Sequence, residues 1–198
     1  MNQVIRAFIA IEIPLETQAK IGGIIHTLQM NLTPNLVRWV KTENIHLTLK
    51  FLGDVSVANL HLLENILLTE AMQFKPFTMN IGELGAFPNP KRARVLWVNI
   101  TAPQDLLILQ RAIESQTVHL GYNAEERPFT PHLTLGRVNR NVSLKDLDQI
   151  ATALQQNPIG LIDVVQVDSL KLFKSELNPK GSIYTILCNA NFKTNPNQ

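Results

Sequence analysis

The residues of this chain best suited to chemistry stand in two identical tetrapeptides. His46-Leu47-Thr48-Leu49 recurs as His132-Leu133-Thr134-Leu135, 86 positions on (132 − 46). At ordinary residue frequencies a chance second copy is roughly a few-in-a-thousand event. Two imidazoles and two hydroxyls have three uses. One imidazole can act as general base on a water or hydroxyl while the other protonates a leaving oxygen, with Thr48 and Thr134 holding the non-bridging oxygens of a phosphodiester. Metal binding ranks below this, because zinc takes three or four ligands and no Cys or carboxylate stands at ligand spacing beside either motif. Nucleophilic attack by Thr48 or Thr134 ranks lower still. A histidine two residues along the same strand is poorly aimed, and no orienting carboxylate is evident. A single His-x-Thr would read as the polar face of a half-buried strand; the repetition favours a paired site.

Both copies sit in alternating, strand-like surroundings, so each histidine shares a face with the threonine two residues on, and the leucines and Phe51 take the other face. Strict alternation also puts Lys50 on the His46 face, within reach of a phosphate. By the same count Arg137 falls off the His132 face, unless a bend at Gly136 returns its planar fork to a phosphate. Phe8 is a candidate for stacking on a base, although a core aromatic is the commoner use of such a residue. Lys91, Arg92 and Arg94 form a basic, turn-rich excursion suited either to a nucleic-acid backbone or to a solvated loop. His26, His61 and His119 lack a partner motif and take no role.

The elements that must position these groups follow in order. Residues 6–13 are an apolar strand stopped by Pro14, and a helix follows with Ile21, Ile24, Ile25 and Leu28 on one stripe. The first motif strand ends at Gly53-Asp54, and Ser56 caps a second helix carrying Leu60, Leu63, Ile66 and Leu67. Strands start at Phe77 and Val95, and Pro103 opens a third helix. After the second motif, Ser143 with Asp146 forms a capping box ahead of a fourth helix. Ile162–Phe173 reads as one long strand and 182–189 as the last. Each half thus runs strand, helix, motif strand, helix, strand. That order suggests a doubly wound parallel sheet, but Ile13-Pro14-Leu15-Glu16 replaces the glycine-rich phosphate turn such a fold uses. The expectation is an α+β protein whose residues 1–198 form one domain of two similar lobes. Each lobe is a mainly antiparallel sheet backed by helices, with both motifs in a central cleft.

Composition constrains the setting. The chain has 198 residues, 45% hydrophobic and 17% charged, with a net charge of +2, which permits an anionic substrate without demanding one. The single cysteine, Cys188, excludes an intramolecular disulfide and sits in an apolar run, as a buried structural thiol would. No signal peptide or membrane-length apolar run is evident, so a cytoplasmic protein is expected.

These residues resemble the two-histidine (2H) phosphoesterase superfamily, and more narrowly the RNA 2′,3′-cyclic phosphodiesterases, also called 2′-5′ RNA ligases. The likeness spans nearly the whole chain. It includes residues 6–11, Val37-Arg38-Trp39-Val40 ahead of Asn44–Gly53, Gly85-Ala86-Phe87-Pro88 ahead of Val95-Leu96-Trp97, residues 127–137, Leu172–Leu177 and Gly181–Tyr184. The resemblance implies a two-lobed fold, metal-independent catalysis without a cofactor, and a monomer acting on RNA with a 2′,3′-cyclic phosphate end. The product is a 2′-phosphate, with reversible 2′-5′ joining as a second activity. His46, Thr48, His132 and Thr134 would carry the reaction, assisted by Arg137. The alternatives are a 2H phosphoesterase for a small cyclic nucleotide and a non-catalytic RNA-binding module.

Overall fold

The computed structural model describes residues 3–179 and 181–193. Its first half contains β1 (Val4–Glu12), α1 (Leu15–Met30), β2 (Val37–Trp39), β3 (His46–Ser56), α2 (Leu60–Ala71) and β4 (Phe77–Phe87). The second half contains β5 (Val95–Thr101), α3 (Gln104–His119), β6 (His132–Val138), α4 (Leu144–Gln156), β7 (Leu161–Val167), β8 (Ser169–Asn178) and β9 (Gly181–Asn191). Two sheets form, ordered β3-β1-β8-β9 and β2-β6-β5-β4-β7, and every pairing in them is antiparallel. The expected α+β architecture of two similar helix-backed sheets is what the chain adopts.

The sheets do not, however, divide the chain into its two halves. Strand β4, which closes the first half, pairs with β5 of the second; β8, from the second half, pairs with β1. Helices cross in the same way. α3 of the second half packs on β3, α2 packs on β8 and β9, and α1 lies on β7, where Thr17 donates to Asp163 at 2.6 Å. Apolar side chains fill the space between: Ile9, Ile13, Ile21, Leu47, Leu63, Leu96, Leu133 and Leu135 are fully buried, each contributing on the order of 1.5–3 kcal/mol.

Three local readings change. β3 runs past Gly53, which takes φ +69°, and ends at Ser56. A 3₁₀ turn at Val57–Asn59 then leads into α2, so Ser56 caps nothing. The expected long strand at residues 162–173 is two strands separated by Asp168 alone, and they enter different sheets. The Ser143–Asp146 capping box forms as read, with Ser143 Oγ accepting from Asp146 N at 3.2 Å. The turn at Pro90–Arg92 packs on α4 and on β4.

On β4, Gly85 lies opposite Trp97, and a Cβ added there would come within 2.1 Å of the indole ring. Gly85→Ala should therefore force the ring or the strand to shift and cost about 1–3 kcal/mol. Urea unfolding should show a lower midpoint at unchanged slope; a midpoint equal to wild type would contradict this packing.

Candidate active site

Both motif strands break their alternation at the same place. On β3, Thr48 pairs with Ala10 and Lys50 with Ile9, leaving Leu49 as an extra residue. On β6, Thr134 pairs with Trp97 and Gly136 with Leu96, leaving Leu135 extra. A bulge of this kind reverses which face the following side chains take. Phe51 accordingly leaves the core and is 64% exposed, with its ring 6.1 Å from that of Phe8. Arg137 is likewise turned outward onto the face of His132, whose imidazole it influences electrostatically. The returning bend expected at Gly136 is therefore a bulge at Leu135.

The same bulge corrects the placement of Lys50. Its side chain is 3% exposed and lies behind the sheet, with Nζ 2.7 Å from Glu114 Oε1 and donating to the Asn123 carbonyl at 2.6 Å. Glu114 Oε1 also accepts from Glu125 N at 2.8 Å. Lys50 thus ties β3 to α3 and to the segment that leads into His132, and its ammonium does not face the site. Phe8 is 3% exposed. It lies beneath His46, ring centroids 4.7 Å apart, and sandwiches with Phe173 at 5.1 Å, so it supports the imidazole and leaves no face for a base.

Each histidine is held by the same device. His46 Nδ1–H donates to the Asn44 carbonyl at 2.8 Å, and His132 Nδ1–H donates to the Thr130 carbonyl at 2.6 Å. A carbonyl only accepts, so Nδ1 carries the proton in both rings and Nε2 is the working atom. Asn44 is itself anchored, its Nδ2 donating to the Ser182 carbonyl at 2.8 Å. Tyr184 meets the His46 ring edge-on at 5.3 Å, and Phe87 meets the His132 ring edge-on at 4.9 Å. Strands β3 and β6 approach one another, and each imidazole lies below its ordinary range. For His46 the cause is desolvation first, then the positive charge of His132, opposed by the bond to Asn44. For His132 it is desolvation first, then Arg137, opposed by the bond to Thr130. Both shifts favour the neutral form of the ring.

Neither the Thr48 nor the Thr134 hydroxyl has a protein partner among the described residues. A cavity of about 310 Å³ opens beside His46, lined in part by Lys41, Phe173, Ser182 and Tyr184. Among the described residues no three His, Cys, Asp or Glu groups converge as a metal site, and no helix is long and apolar enough to cross a membrane. Cys188 is half-buried at the core margin. Sequence reading missed Phe51, Phe173, Tyr184 and Phe87 as neighbours of the site. Asn44 and Thr130 were discoverable, since each precedes its histidine by two residues.

Two antiparallel sheets that meet along strands bearing paired His-x-Thr motifs define a two-histidine phosphoesterase fold. The LigT-like phosphoesterase family model matches residues 11–97 and again 99–184, one motif in each segment, and the chain belongs to that family. It is 36% identical to the RNA 2′,3′-cyclic phosphodiesterase of Methanothermobacter thermautotrophicus, over 91% of this chain and 95% of that one. It is 30% identical to the Thermotoga maritima protein of the same name, over 95% and 96%. Among solved structures, it resembles TT0787 of Thermus thermophilus with a TM-score of 0.79, at 25% identity over 94% of this chain and 97% of that one. E. coli LigT complexed with 3′-AMP gives 0.75, at 27% identity over 97% and 100%.

The Lys50–Glu114 pair makes a stability prediction. Lys50→Met leaves Glu114 without its cation. The cost should be about 2–4 kcal/mol, toward the low side for an orphaned buried charge because the Glu114 side chain keeps 22% exposure. The double variant Lys50→Met with Glu114→Leu should recover part of it. Denaturant unfolding in which the double variant is as weak as the sum of both single changes would contradict the pairing.

Proposed function

We propose that this chain hydrolyses RNA 2′,3′-cyclic phosphate ends to 2′-phosphates by paired-histidine acid–base catalysis. The observation that supports this reading is the identical anchoring of both imidazoles through Nδ1, which leaves each Nε2 free, together with the electrostatic influence of one ring on the other. The names of the relatives supply the substrate class. In the reaction, His132 Nε2 takes a proton from water as the oxygen attacks phosphorus. Protonated His46 gives its Nε2 proton to the 3′ oxygen as the P–O3′ bond breaks. Arg137 favours this assignment, because its charge beside His132 stabilises the neutral imidazole that a base requires. Thr48, Thr134 and Arg137 bind the phosphate oxygens. No cofactor or metal is required, and activity should persist in a chelator. Reversible 2′-5′ joining follows from the same groups acting in the same direction, with a ribose 5′-hydroxyl in place of water and the same P–O3′ bond broken; cleavage of the 2′-5′ linkage is that step reversed. The test is incubation with an RNA ending in a 2′,3′-cyclic phosphate and mapping of the product phosphate; recovery of a 3′-phosphate, or no turnover, would overturn the reading.

The lowered imidazoles fix the pH dependence. The profile of kcat/KM reports the free protein, in which both rings lose their protons below 6.5. Its bell should therefore centre on the acid side of 6.5, displaced from the neutral centre that unperturbed values give. Bound phosphate stabilises a protonated imidazole, so the kcat profile should lie at higher pH. Arg137→Gln removes a positive neighbour from His132, which raises that imidazole and should move the acid limb upward. A bell centred above 7 in kcat/KM, or an acid limb that moves down, would contradict the assignment.

The hydroxyls are tested separately. Thr48→Val and Thr134→Val keep the strand shape and delete one donor, and each should lower kcat on the order of 10²-fold. If both stay within a few-fold of wild type, the hydroxyls have no part in the transition state.

A further inference from the structure

Arg38 lies outside everything assigned so far, and its position is unusual. On β2 it pairs directly with Arg137 on β6, while the flanking pair Val37 and Val138 is buried. Arg38 and Arg137 are both exposed, so the two guanidiniums share the face that carries His132 and Thr134. Like charges directly across a ladder destabilise it. Among the described residues neither guanidinium has a carboxylate partner or a hydrogen bond to relieve this. The arrangement suits an anion. β2 is the edge strand of its sheet, one strand spacing (about 4.8 Å) further from the histidine than Arg137.

We infer that Arg38 forms a second phosphate subsite, which takes the phosphodiester on the 5′ side of the nucleotide whose cyclic phosphate lies between the histidines. This rests on the proposed function and makes the substrate an oligonucleotide in preference to a cyclic mononucleotide. Covalent structure leaves one choice: in an RNA with a cyclic phosphate at its 3′ end, the neighbouring phosphate is the one on the 5′ oxygen of the same ribose. Arg137 serves the reacting phosphate and Arg38 the next.

The test compares three substrates: a nucleoside 2′,3′-cyclic phosphate, a dinucleotide with the same end, and that dinucleotide with a neutral methylphosphonate linkage. Wild type should show a KM advantage of about tenfold for the charged dinucleotide, the size expected of one charge-assisted hydrogen bond. Methylphosphonate and Arg38→Gln should each abolish that advantage, and together do no more than either alone. An equal KM rise for all three substrates would place Arg38 on the reacting phosphate and overturn the inference, as would an unchanged ratio. If wild type turns over none of them, the proposed function fails, and the subsite is then judged by binding. The slope of log affinity against log salt for a dinucleotide 2′-phosphate should flatten by about 0.7 in Arg38→Gln; an unchanged slope would overturn the inference.

Discussion

The constraint on which the site depends is the extra residue at the fourth position of each motif. Without bulges at Leu49 and Leu135, β3 and β6 would alternate from the histidine as far as Phe51 and Arg137, sending those two side chains into the core and Lys50 onto the His46 face. With them, a single strand presents a histidine and a threonine and then, past the bulge, a third side chain on the same face. Leucine suits the bulged position because the core behind both strands takes its side chain: Leu49 and Leu135 are both buried.

The 86-residue offset that relates the histidines also relates the residues after the bulge, and their differences are informative. Lys50 corresponds to Gly136, and Phe51 to Arg137. A Cβ at Gly136 would come within 2.6 Å of Val37 Cγ1 and 3.1 Å of the Arg38 carbonyl, because β2 lies beside β6. On the other sheet β3 is itself the edge, with no strand beside it among the described residues, and the same position accommodates a lysine that runs back to Glu114. The lobes diverge again on the cleft face. His46 is surrounded by Phe8, Phe173 and Tyr184, whereas His132 has one edge-on ring, Phe87, and the charge of Arg137. Two imidazoles anchored in the same way thereby acquire unequal surroundings.

The sequence revealed the motif pair, the strand–helix order and the capping box, because each depends on local periodicity or on residue type at short spacing. It concealed what depends on partners. The bulges leave no mark in His-Leu-Thr-Leu, and the placement of Lys50 by alternation fails there. Residues 161–178 mix polar and apolar side chains on both sides of Asp168, so the single-residue break there carries no mark that separates it from a continuous strand. The exchange of β4 and β8 between sheets is a matter of pairing, which periodicity does not encode. Arg38 was unremarkable in the sequence because its meaning lies in the register that sets it opposite Arg137.

That exchange bears on catalysis. Were each lobe one half of the chain, the distance between the imidazoles would rest on a single linker and one interface. Instead β4 leaves the first half to pair with β5, and β8 leaves the second to pair with β1. The chain also passes from β7 in one sheet to β8 in the other across one residue, where the Asp168 carbonyl accepts from Phe192 N at 2.7 Å. Separating the sheets would require opening the buried core between them, and the chain crosses from one sheet to the other after β1, β2, β3 and β7. Acid–base catalysis by two groups on one phosphate needs their spacing held within a few tenths of an ångström. The carbonyls of Asn44 and Thr130 fix each ring on its own strand, and the interleaved sheets fix the strands relative to each other.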